Sequence, residues 1–305
     1  MGSVSLLAAI NPPGGAPVDT PVNTTFQTIF VVIHFAVALA VVLIAVNGPI
    51  KTKDWFELRF RTLVLIGGGL GAVFFEPAGD RLGQLWYNEI GGQWPLVHLY
   101  GVTVPLWALP VYITFVGGGT LWVIDRVRRG ATAGDFFKVF AGITLADLLI
   151  EIPILLWGGL YQYWGDNQPL WHPDWFPLPL WFIIINRLLS LVPAVVIFGI
   201  MSTRAKHIEW VLPFVIPGSL MAAYGLSAWP VIMTLQNGQS LLVTTLAACV
   251  TIVLATFLTV IGVKILPKFR DLMAVTPAYD GCVKYEAPLA AEGKRSLTDR
   301  LAGFV

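Results

Sequence analysis

Seven mainly apolar stretches, each long enough to cross a hydrocarbon core as an α-helix, dominate this sequence and leave little room for any other fold. They run at about 26–48, 61–79, 98–124, 136–159, 178–201, 210–234 and 240–266. A crossing needs roughly 20 apolar residues, and helices satisfy their own backbone groups where no water is present. Composition agrees: 56% of the 305 residues are hydrophobic and 12% are charged, about half the charged share of a soluble domain. The expected fold is all-α, a polytopic integral membrane bundle of seven transmembrane helices over residues 26–266. An extended segment, 1–25, precedes it and a soluble tail, 267–305, follows. Pro105, Pro110, Pro153, Pro193, Pro213, Pro217 and Pro230 fall inside the stretches, which membrane helices tolerate. Gly67–Gly68–Gly69–Leu70–Gly71 and Gly117–Gly118–Gly119 read as faces for close helix packing.

Loop charge sets the expected orientation. Lys51, Lys53, Arg59 and Arg61 follow the first stretch, and Arg126, Arg128, Arg129 and Lys138 follow the third. Arg204 and Lys206 follow the fifth, and Lys264, Lys268 and Arg270 leave the seventh; the opposite side carries Arg81. Lys and Arg collect in cytoplasmic loops, so the N-terminus is expected outside and the C-terminus in the cytoplasm. In a bacterium that membrane is the plasma membrane. No Lys or Arg precedes the apolar Leu6–Ile10 run, so the start does not read as a cleavable signal peptide. A net charge of +1 provides no field to recruit nucleic acid. Cys249 and Cys282 make no disulfide or zinc framework.

Ionisable groups within a bilayer face a bundle interior or a cavity. At 1.5 Å per residue, Glu76 and Asp80 fall at the outer end of the second helix, Asp147 near mid-membrane and Glu151 about 6 Å higher. His34 and Arg187 lie roughly 12 Å below the outer surface, so all six could meet in one outward-opening cavity. Glu76 and Asp80 are four residues apart, as are Asp147 and Glu151, so each pair shares a helix face. Two carboxyls so placed cannot both ionise cheaply, and each pair is expected to hold a proton. Pro77 biases Glu76 away from helical geometry, which would end the helix there. Arg187 is either a substrate contact or the ion-pair partner of Asp147 or Glu151. His34 is either a packing residue or a substrate contact, Asn186 an interhelical hydrogen bonder, His98 interfacial and Asp125 solvated.

The outer loops are aromatic: Trp86–Tyr87, Trp94, Tyr161–Gln162–Tyr163–Trp164 and Trp171–His172–Pro173–Asp174–Trp175. They form either an interfacial belt or the cover of a cavity. A retinal protein would need a Lys in the middle of the seventh helix, where Lys264 lies at its end. Four scattered His do not build a di-iron site. Gly225–Leu226–Ser227–Ala228 has no His on the seventh helix to act as base.

Seven helices, an acid closing the second and a Trp/Tyr-rich outer lining together resemble the integral-membrane terpene cyclases, the fungal meroterpenoid cyclases and their bacterial counterparts. The likeness covers residues 26–266. It implies a lipophilic prenylated substrate drawn from the bilayer, no metal or other cofactor, and two carboxylic residues that start cyclisation by protonating an alkene or epoxide. Glu76 matches the acid of the second helix, with Asp80 beside it. The fungal enzymes carry their other acid in the last helix, where this chain has no Asp or Glu, so Asp147 or Glu151 would take that part. Trp86, Tyr87, Trp107, Tyr112, Trp157, Trp164, Trp181, Tyr224 and Trp229 are candidates for a lining that stabilises a carbocation, with His34 and Arg187 as further contacts. A transporter or receptor with a carboxylate–Arg relay, a prenyltransferase and a carotenoid-type hydratase are the alternatives.

Overall fold

The structure, a computed structural model, describes residues 15–88, 92–170, 175–202 and 207–275, with 270–275 as backbone only. Residues 1–14, Glu89, Trp171, His172, Asp174, Arg204, Lys206, Cys282 and the rest of the tail from 276 lie outside the described residues. The chain is mostly helical. The helices are α1 (Thr24–Thr52), α2 (Trp55–Phe74), α3 (Glu76–Gly83), α4 (Ala108–Arg128), α5 (Ala133–Gly158), α6 (Leu180–Met201), α7 (Ile208–Ser227), α8 (Trp229–Gln236) and α9 (Leu241–Val275). Among the described residues six are each long and apolar enough to cross a membrane, and the α2–α3 pair makes a seventh if its 42° bend lies within one span. Their outer faces expose large apolar side chains such as Ile44, Phe214 and Leu242, which a water-soluble surface does not carry in such numbers. These long apolar helices mark a membrane protein.

The prolines explain where these helices depart from regularity. Pro77 cannot donate to the Val73 carbonyl, and its ring crowds the preceding turn. The helix therefore breaks at Phe75 and resumes at once as α3 instead of ending, with Glu76 in its first turn. Pro110 and Pro153 each precede a wide π-type turn, at Ile113–Gly118 and Ile154–Gly158. Pro230 separates α8 from α7, so the expected helix over 210–234 is two pieces broken at Ala228.

The bundle is also not wholly α. Residues 98–105, expected to open the third span, belong instead to a hairpin of β2 (Pro95–Leu99) and β3 (Val102–Pro105), and α4 begins at Ala108. Val102, Thr103 and Val104 favour strand, while Tyr100 and Gly101 both take positive φ, 54° and 78°, as a tight hairpin turn requires. A second ladder joins β1 (Leu85–Tyr87) to β4 (Tyr161–Tyr163), setting Tyr87 opposite Tyr161.

The glycine runs pack against each other. A Cβ on Gly68 would lie 2.6 Å from the Gly117 nitrogen, one on Gly67 2.7 Å from Ile216, and one on Gly71 2.8 Å from the Tyr112 ring. With no side chains in the way, α2 sits directly against α4 and α7. At the basic end this contact brings Asp125 beside the start of α2. Arg61 holds both Asp125 oxygens at 2.7 and 3.0 Å, and Glu57 accepts from Arg61 and Arg128 at 2.7 Å each. Asp125 is thus an ion-paired link between helices and not a solvated loop residue.

Candidate functional site

The α2–α3 bend places Glu76 where two tyrosines converge. The Tyr87 hydroxyl donates to Glu76 Oε1 at 2.7 Å, and the Tyr112 hydroxyl donates to Oε2. Tyr112 is set by its ring lying against Gly71, and Tyr87 by the β1–β4 ladder. One turn along α3, Asp80 is 1% exposed, and its Oδ2 has no hydrogen-bond partner among the described residues.

A second pair of acids lies on α5. Glu151 Oε2 accepts from the Tyr161 hydroxyl, and Asp147 Oδ2 accepts from Asn186 at 3.0 Å. The two acidic pairs meet through aromatic rings. Tyr87 and Tyr161 are edge to face with centroids 5.9 Å apart, and Trp107 contacts both, at 5.6 and 6.2 Å. All four carboxyl groups lie within electrostatic reach of the buried Tyr224 hydroxyl. Tyr224 packs edge to face on Phe75 at 4.8 Å and on Phe182 at 6.3 Å. Burial, reinforced by the nearby acids, pushes the Tyr87 and Tyr161 phenols well above the ordinary tyrosine range, so both remain hydrogen-bond donors.

The loop side is closed by amides. Gln93 donates to the Asn88 carbonyl at 2.8 Å and accepts from the Trp107 indole at 2.9 Å. Gln162 joins Asn88 Oδ1 at 2.8 Å to Thr20 at 2.7 Å. A cavity of about 220 Å³ borders Tyr87 here, lined by Asn88, Gln93, Pro95, Thr103 and Pro105.

The structure thus brings Glu76, Asp80, Asp147 and Glu151 together with Tyr87, Trp107, Tyr112 and Tyr224. Trp86 and Trp181 are buried, each with an indole N–H that has no acceptor among the described residues. Trp157 and Trp229 are 67% and 55% exposed and stand apart from the buried cluster. Arg187 pairs with neither Asp147 nor Glu151; its Nη2 donates to Thr256 on α9 at 2.9 Å. His34 bonds the Phe30 carbonyl of its own helix at 2.8 Å and lies tilted against the Phe30 ring. His98 bonds Thr103 across the hairpin. Tyr161 and Tyr163 stand in the sequence as a belt or a cavity cover without a named role, and Gln93 is not a sequence candidate. Their signal was the alternating Tyr161–Gln162–Tyr163, which reads as strand but names no neighbour. Comparison of the chain with family models, with curated proteins and with solved structures finds no match.

Proposed function

We propose that the chain crosses the membrane seven times, the α2–α3 pair forming one bent span. The basic end then lies in the cytoplasm and the acid cluster near the outer face. We further propose that it is a metal-independent isoprenoid cyclase initiated by general acid catalysis. The observation that carries this reading is the clamping of Glu76 by two phenols next to Asp80, a buried acid with one oxygen free. Both Glu76 oxygens are occupied, so Asp80 Oδ2 is the oxygen of the pair left without a hydrogen-bond partner among the described residues. The pair shares the proton, and Tyr87 and Tyr112 hold Glu76 in position as that proton leaves.

Transfer to a terminal alkene forms a C–H bond at the expense of the π bond; transfer to an epoxide oxygen opens a C–O bond. The resulting cation is met by faces of Trp107, Tyr87 and Tyr224, which stabilise positive charge without attacking it. Closure of the rings and loss of a proton to Glu151 or Asp147 gives an isomer of the substrate, and return of that proton to the Glu76–Asp80 pair completes the cycle.

A second reading, a proton-coupled transporter, draws on the chain Tyr112–Glu76–Tyr87–Tyr161–Glu151 and on the amide-lined cavity beside Tyr87. Membranes bearing wild type, Glu76→Gln or Asp80→Asn, incubated in EDTA with farnesylated and geranylgeranylated acceptors, separate the two. A product of unchanged mass and altered retention, lost in both variants, is expected. A product heavier by one water would make it a hydratase. No turnover across the panel, with proton uptake into vesicles that Glu76→Gln abolishes, would replace the cyclase by the transporter.

A further inference from the structure

Two adjoining spaces at the basic end, remote from the acid cluster, form a second site. The first is an apolar groove of about 430 Å³, walled by Val41 and Ile44 of α1, Phe115 of α4 and Ile143 of α5, that ends on the Arg61–Asp125 pair. It exists because α5 stands off from the bundle; only 17% of its most apolar stretch is buried. The second, of about 450 Å³, is lined by Arg126, Arg129 and Lys138. Trp122 and Val139 line both, so groove and basic pocket are continuous.

Charge says what fits. Arg61 and Arg128 are engaged by Glu57 and Asp125, whereas Arg126, Arg129 and Lys138 make no ion pair among the described residues. Arg126 lies over the Trp122 ring at 5.1 Å, which holds it at the junction. Asp135, the acid in this pocket, is turned onto the Thr132 N–H and hydroxyl as a helix cap. Three cations against one anion leave the pocket a net +2. We infer that the two spaces bind one anionic phospholipid, its phosphate on Arg126, Arg129 and Lys138 and one acyl chain in the groove between α1, α4 and α5. Basic pockets between membrane helices recognise anionic headgroups in this manner, and the groove has the volume of an ordinary ligand site. The inference depends on the chain residing in a membrane but not on any chemistry at Glu76.

The test is native mass spectrometry of delipidated protein titrated with phosphatidylglycerol, phosphatidylcholine of the same chains, or inorganic phosphate. Phosphatidylglycerol is expected to bind at least tenfold more tightly than phosphatidylcholine. Arg126→Gln with Lys138→Gln should remove that preference, and Ile143→Trp, which fills the groove, should weaken both lipids while leaving cyclase or transport activity unchanged. Equal affinity for the two lipids, or a double variant that keeps the preference, would overturn the site. Occupancy by inorganic phosphate as strong as by the lipid would overturn the phospholipid in favour of a free anion.

Discussion

At the scale of single residues, the candidate site rests on hydrogen bonds to buried carboxyl groups. Removing the Tyr112 hydroxyl leaves Glu76 Oε2 without its donor, and a bond to a charged or shared-proton group contributes about 1.5–3 kcal/mol. Under the proposed cyclase reading, Tyr112→Phe is therefore expected to slow turnover by roughly 10- to 100-fold, with apparent affinity for a prenylated substrate little changed. A loss confined to affinity would place Tyr112 in binding alone. Tyr87→Phe should behave alike, and its effect should be constant from about pH 6 to about pH 9, because burial keeps that phenol protonated throughout. A rate difference that closes as pH rises over that range would mean the phenol ionises there. Residue identity alone made the four acids legible, since a carboxyl group in an apolar stretch demands an explanation. It did not make Trp157 and Trp229 legible as outward-facing. Aromatic type says nothing of which way a helix is turned, and with apolar residues on every side of the helix, periodicity could not supply it.

At the scale of elements, the long helices and glycine faces could be read locally, from hydropathy and from the lack of side chains. The contact between Gly68 and Gly117 supports that reading and yields a stability contrast. Gly68→Ala would drive a methyl to within 2.6 Å of backbone and is expected to cost about 1–3 kcal/mol. Gly142→Ala meets nothing within 4 Å and should leave stability unchanged or raise it by about 0.5–1 kcal/mol. Thermal unfolding in one detergent measures both, and equal midpoints would dissolve the packing argument. The strands and the bend were less accessible. Leu85–Tyr87 and Tyr161–Tyr163 are three residues each, and their pairing joins positions far apart in the chain, so only the folded bundle specifies it. Pro77 announced a disturbance in the sequence. That the helix would resume with Glu76 in its first turn, its carboxyl meeting Tyr87 and Tyr112, is visible only in the folded bundle.

At the scale of the whole molecule, the bundle has two unlike ends. One is held by ion pairs among Glu57, Arg61, Asp125 and Arg128, the other by amides and tyrosines around buried acids. Breaking the first end should destabilise the fold without touching the acid cluster: Arg61→Ala leaves Glu57 and Asp125 sharing Arg128 and is expected to cost about 1–3 kcal/mol. The asymmetry also bears on the proposed orientation. Basic loops are retained in the cytoplasm during insertion, so the proposed orientation would put the acid cluster within reach of the outer leaflet and of a lipophilic substrate dissolved there. The two faces can be told apart chemically. In a background with Cys249 and Cys282 replaced by Ser, Ser240→Cys lies exposed in the turn between α8 and α9 at the acid end, and Arg129→Cys lies exposed at the basic end. A membrane-impermeant maleimide applied to intact cells should label Ser240→Cys at once and Arg129→Cys only after lysis. The opposite pattern would invert the protein, moving the acid cluster to the cytoplasmic leaflet. A cytoplasmic diphosphate would then come within reach of Glu76 and Asp80, and a prenyl transferase would become the better account of the same four carboxyl groups.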